Sequence, residues 1–160
     1  MAISPVTRQR LEIQGFTGID DDALSTAAPW LRLAPALCAG GCGVGTVLAA
    51  PSILWPLALT AALGAAAPFH PFDLIYDAAI RRLTASPRLP ANRGPRRFAC
   101  AVGAIWLLAT GGLFATGATV AGYVLGGAFV AVAGLVATTH ICLPSMFYRA
   151  ARSRFVARAG

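Results

Sequence analysis

The side chains able to do chemistry are few: two histidines and four cysteines in 160 residues. His140 follows Ala133, Phe129, Gly126 and Gly122 at helical intervals, so on an unbroken helix its imidazole joins a face of small residues and points inward. His70 follows a second apolar run. An imidazole at membrane depth is a candidate metal, haem or pigment ligand, or a proton carrier. The simpler reading is a neutral ring hydrogen-bonded to a neighbouring helix, and it is preferred because no second ligand accompanies His140 at a matching spacing. On that reading no cofactor is expected, and haem, pigment or metal at His140 is the alternative.

Cys38 and Cys42 lie one helical turn apart, with Cβ atoms expected about 5–6 Å from each other. An unstrained disulfide needs roughly 3.5–4.5 Å, so both read as small apolar fillers beside Gly40 and Gly41, as does Cys100. Cys142 differs through its surroundings, His140-Ile-Cys142-Leu-Pro144-Ser145. Pro144 has no N–H for the His140 carbonyl and disfavours helix at Leu143. A kink or helix end is expected there, leaving a thiol near the membrane interface. The Cys-x-x-Ser spacing is that of a monothiol redox motif, with His140, His70 and Cys142 the candidate ligand or metal residues.

The elements that must position these groups are apolar helices. Hydrophobic residues make up 57% of the chain and charged residues 12%, against the roughly 25% charged of a soluble domain. Residues 33–72 and 98–148 contain no Asp, Glu, Lys or Arg. About twenty apolar residues span a bilayer, which predicts four spans near residues 30–50, 51–67, 98–118 and 120–143. The fold class is all-α integral membrane, a four-transmembrane-helix bundle. Tight uncharged turns are expected at Ala50-Pro51 and around Thr119.

Arginine sets the orientation. All thirteen basic residues are Arg, and the net charge is +7. Arg81, Arg82, Arg88, Arg93, Arg96 and Arg97 lie between spans two and three; Arg149, Arg152, Arg154 and Arg158 follow span four. The positive-inside rule then puts both termini and the middle loop in the cytoplasm. Such placement suits anionic lipid, with Arg81, Arg82, Arg96, Arg97 and Arg149 the headgroup contacts, and argues against nucleic acid.

In the middle loop, Phe72, Ile75, Tyr76, Ala79, Ile80 and Leu83 recur at helical spacing behind Pro71. Asp73, Asp77 and Arg81 form an i, i+4 ladder on the other face. Residues 71–84 therefore read as an interfacial amphipathic helix on the cytoplasmic surface, followed by a Pro- and Arg-rich loop from Pro87 to Pro95. Residues 1–28 read as a polar arm in which Leu11 and Ile13 alternate strand-like with charged neighbours, while Asp20 to Asp22 cap a helix. No apolar signal-peptide core is visible in that arm. Residues 29–149 form the membrane domain and 150–160 a basic tail.

Gly41 with Gly45 and Gly122 with Gly126 form small-xxx-small pairs that let helix backbones approach closely in lipid. From FDLIYDAAIRRLTASPRLP through PRRFACAVG and AGYVLGG to HICLPSMFY, the chain resembles the bacterial membrane family called domain of unknown function 4395. The resemblance covers roughly residues 30–149 and implies a four-span bundle with a Pro-rich, basic middle loop in a bacterial cytoplasmic membrane. The family's motif opening span three falls on Arg97, Phe98 and Ala99, and its closing motif on Cys142 and Tyr148. That closing motif usually reads Cys-x-Gly-Cys; here Pro144 and Ser145 replace Gly-Cys.

Two functions fit. The small-residue faces, surface helix and lack of a complete catalytic constellation favour a non-catalytic accessory or scaffold subunit packing against larger membrane proteins. The alternative is a thiol- or metal-linked redox or sulfur-transfer protein using Cys142 with His140. A transporter fits less well, since no ionisable group sits near a midplane and no inverted repeat is evident.

Overall fold

The computed structural model describes residues 3–84 and 88–159 and, among these, is helical with no strand. Pro87 of the middle loop, and the side chains of Ile80, Leu83 and Arg158, lie outside what is described.

The amino-terminal segment is folded. Ser4 accepts the Thr7 N–H, and Pro5 opens helix α1, Pro5–Ile13. The expected strand-like alternation at Leu11 and Ile13 is therefore helix: a serine cap with proline in the first turn outweighs the alternation of Arg10 to Gln14. Asp20 accepts the Asp22 N–H and caps α2, Asp21–Ala27, as expected. Arg8 pairs with both Glu12 and Asp21, joining the two helices. Leu11, Phe16, Leu24, Ala27, Ala28 and Leu31 form a small apolar core of their own, with Leu89 of the middle loop against it. The segment is thus a packed cap.

A 3₁₀ turn at Trp30–Arg32 leads into α3, Leu33–Val47. A tight turn through Ala49, at φ 46°, precedes Pro51 at the start of α4, Pro51–Ala66. After α5, Pro71–Ile75, come a π turn at Tyr76–Ile80 and α6, Arg81–Thr84. The long helices are α7, Gly94–Ala115, and α8, Thr119–Thr139, joined through Gly117 at φ 80°. Both are long and apolar enough to cross a membrane. A third candidate exists if α4 and Pro71–Ala79, bent by 87° relative to each other, count as one span. At 15 residues, α3 is shorter than a bilayer requires.

α3 packs against α8 and α4, and α7 against α4 and α8. Cys38, Cys42, Leu54, Leu57, Ala58, Ala61, Ala104, Leu107 and Phe129 form the core between them. The glycine pairs lie at these contacts. A Cβ on Gly126 would collide with the Thr46 side chain, and one on Gly122 would come within 3 Å of Phe114. Gly41 and Gly45 face Leu57 and Leu54.

α8 stops at Thr139, short of the expected residue 143, and α9 runs from Leu143 to Ala159. Proline explains both edges: Pro144 cannot continue α8, yet it suits the first turn of a new helix. The expected basic tail is the end of α9.

Candidate functional site

The break between α8 and α9 puts Cys142 just before the first residue of a 17-residue helix. The Met146 N–H donates to its carbonyl at 3.1 Å. Ser145 Oγ lies 3.1 Å from Cys142 Sγ and 3.1 Å from the Pro95 carbonyl. A hydroxyl carries one proton, so it serves one acceptor at a time. With a neutral thiol, Ser145 donates to Pro95 and can accept from the S–H. With a thiolate, it can turn its proton to sulfur. The helix N-terminus adds favourable dipole ends for the same negative charge.

Cys142 opens on a cavity of about 120 Å³ that Cys38 of α3 and Cys100 of α7 also line, together with His70, Gln14 and Arg96. Three thiols from three different segments therefore share one space. Position in the sequence gives no hint of this, since 42 residues at least separate neighbours in the set Cys38, Cys100 and Cys142. Cys42 stands apart: its Sγ contacts Thr46 and the Gly126 carbonyl at 3.7 and 3.8 Å, within the α3–α8 packing.

One wall of the cavity is a buried charge network. Arg96 is 6% exposed, donates to Asp73 at 3.4 Å and stacks over the Phe16 ring at 5.4 Å. Asp73 also accepts the His70 N–H, and His70 Nδ1 accepts the Phe72 N–H, a reciprocal cap at the start of α5. An Nδ1 that accepts leaves the proton of a neutral ring on Nε2. Burial pushes His70 down to about 4; Asp73 opposes the shift and Arg96 adds to it.

This network corrects two expectations. Arg96 faces inward and does not meet lipid headgroups, and Asp73 leaves the outer ladder to pair with it. The signal was present at Arg96: it precedes Cys100, Gly103, Leu107 and Gly111 at helical intervals, on the buried face of α7. Asp77 and Arg81 keep their i, i+4 relation at 3.9 Å. Arg97 donates to the Ala65 and Ala66 carbonyls at the end of α4, Arg149 donates to the Glu12 carbonyl, and Arg82 is exposed.

His140 is placed differently. It terminates α8 in the left-handed region at φ 60°, and its ring is buried. Its Nε2 accepts from Arg32 Nε at 2.8 Å, and its carbonyl accepts from Gln14 Nε2 at 2.9 Å. Arg10 donates to the Thr139 carbonyl at 2.8 Å. The Thr139 and His140 carbonyls at the end of α8 are thus satisfied by the amino-terminal cap, as helix ends require. A ligand role for Nε2 would require Arg32 to withdraw. The residues lining the cavity include His70 but not His140. Among the described residues, no three His, Cys, Asp or Glu side chains come together as a metal site.

No curated protein and no solved structure matches this chain. The model of the family described as domain of unknown function (DUF4395) matches residues 28–153, a stretch that holds all four cysteines, both histidines, Asp73 and Arg96. It leaves out α1 and α2, and with them Gln14 and Phe16. With well over half of its length matched, the chain belongs to the domain of unknown function family DUF4395.

Proposed function

We propose that this chain is a membrane-embedded thiol protein of the redox or sulfur-transfer class, with Cys142 as its nucleophile. The observation that carries the reading is Cys142 at a helix start, beside the Ser145 hydroxyl and facing a cavity shared with two further thiols. A nucleophilic cysteine needs its negative charge stabilised and needs room for a reactant. Of the two histidines, His70 lines this cavity and His140 does not, so His140 is dropped as the partner of Cys142.

The membrane setting goes with it: four spans of a bacterial cytoplasmic membrane, made by α3 together with the 3₁₀ turn that leads into it, α4, α7 and α8, with the bilayer thinned locally at the short α3 and α4, and both termini with the middle loop inside. The Arg distribution supports that orientation. Exposed Phe69, Leu74 and Ile75 support an interfacial position for the α5 region, but the expected apolar stripe does not face lipid as a whole: Phe72 packs against the core and Tyr76 is buried beside Trp30. Cys142 is buried and Cys100 is less so, so the order of alkylation reports reactivity and not access: in the folded protein under dilute iodoacetamide, Cys142 should react first of the four cysteines, and Ser145→Ala should slow it. Alkylation of Cys142 only after unfolding would remove the thiol reading.

The accessory-subunit reading comes second. The two small-residue pairs are used inside the bundle, so they do not argue for a partner. Gly127 and Gly134 of α8 do, because nothing fills the space beside them. On this reading a stoichiometric membrane partner copurifies in mild detergent and is lost in Gly127→Leu but kept in Cys142→Ser.

A further inference from the structure

We propose that Cys100 is the resolving thiol for Cys142, a role that rests on Cys142 being the nucleophile. The residue three positions after Cys142 is Ser145, which can stabilise a thiolate but cannot form a disulfide. A second thiol must therefore come from elsewhere in the fold. Cys100 and Cys142 line the same cavity. Cys38 lines the cavity too, from α3, whereas the helix that Cys142 opens, α9, packs against α7, the helix of Cys100. The bond from Ser145 to the Pro95 carbonyl holds the start of α9 to the first turn of α7, five residues before Cys100.

The two sulfurs are carried differently. Cys100 sits within the helical ladder of α7, whereas Cys142 lies on the non-helical joint between α8 and α9. The joint can therefore turn Cys142 toward Cys100 without breaking either helix. About 120 Å³ of cavity gives the displaced group somewhere to go.

The chemistry balances with a disulfide R–S–S–R′ as the oxidant. The Cys142 thiolate attacks one sulfur, forming Cys142–S–S–R and releasing R′S⁻, which takes up the proton Cys142 gave. Cys100 then attacks the Cys142 sulfur as its proton passes to the departing RS⁻, forming Cys100–S–S–Cys142 and RSH. Two protein thiols are oxidised and one external disulfide is reduced to two thiols. Run in reverse, the same steps oxidise a dithiol.

The test uses the full chain, reduced and held in detergent micelles. It is treated with substoichiometric dimethyl disulfide, small and apolar enough for this cavity, and followed by intact-mass and peptide mass spectrometry. The wild-type protein should pass through a methylthio adduct at Cys142 to a product lighter by two hydrogen atoms, with Cys100 and Cys142 bridged. Cys100→Ser, or Cys100→Ala if the serine variant folds poorly, should stop at the Cys142 adduct, while Cys38→Ser should behave as wild type. A wild-type adduct as long-lived as that of the Cys100 variants would leave Cys142 as a lone nucleophile, and a bridge joining Cys38 to Cys142 would make Cys38 the resolving thiol; either result overturns the assignment. Absence of any adduct at Cys142 in every variant would instead remove the nucleophile itself, and the resolving role with it.

Discussion

The chain breaks an apolar helix next to a histidine twice, and the two breaks are built on different physics. Between α4 and α5, His70 sits with Asp73 and Arg96 in a buried network that contains two opposite charges. Between α8 and α9, the ring and carbonyl of His140 are acceptors, and the donors come from Arg32 and Gln14 of the amino-terminal cap. The first break depends on charges compensating each other away from water, so removing one member leaves the other stranded. The second is a helix end whose orphan carbonyls are satisfied, and each hydrogen bond there has a modest net worth. One residue type at similar sequence positions therefore does two jobs: His70 borders the cavity, while His140 fastens the cap.

The largest expected effect follows from the first break. Arg96→Met leaves Asp73 buried without its cation and should destabilise the protein by about 3–5 kcal/mol. Reversible unfolding in mixed micelles measures this, and adding Asp73→Leu should restore much of the loss. A single substitution as mild as those at the second break would erase the contrast between the two.

The next effect is on pH dependence. His70 is held near 4 in the folded protein, against about 6.5 when unfolded. The unfolded state therefore binds more protons between these values. Stability contributed by the neutral ring is complete above about pH 6.5 and is lost as pH falls toward 4. His70→Asn keeps a capping acceptor at the start of α5 and removes the titration. Its thermal stability should fall less steeply across that window. Equal slopes for the two proteins would show that His70 does not control acid sensitivity at this break.

The smallest effect belongs to the second break. His140→Gly removes the bond from Arg32 but relieves a left-handed residue of its Cβ strain. The relief offsets only part of the loss of a buried ring and of the Arg32 acceptor, so stability should fall by about 1–2 kcal/mol. A loss as large as that of Arg96→Met would make His140 as central as the Asp73–Arg96 pair and end the comparison.

Much of this protein is legible in the residues alone, because bilayer and helix physics act locally. Charge-free tracts, arginine placement, the Asp20 cap, the turn at Pro51 and the break at Pro144 each depend on a few adjacent residues. The close-packing role of Gly122 and Gly126 follows from helical spacing and absent side chains, although their partners, Phe114 and Thr46, do not. The folding of residues 3–32 into a cap was half-visible in Ser4 and Pro5, but not in the contact of Leu11 with Phe16 and Leu24, which joins separate turns of chain.

The site belongs to the tertiary structure. Whether Arg96 meets lipid or Asp73 depends on the face of α7 that α4 covers, and composition is silent on that. The meeting of Cys38, Cys100 and Cys142 depends on three segments converging on one cavity. Local sequence governs where a helix starts, stops and turns its apolar face; which side chains from distant helices share a space is set only when those faces pack together.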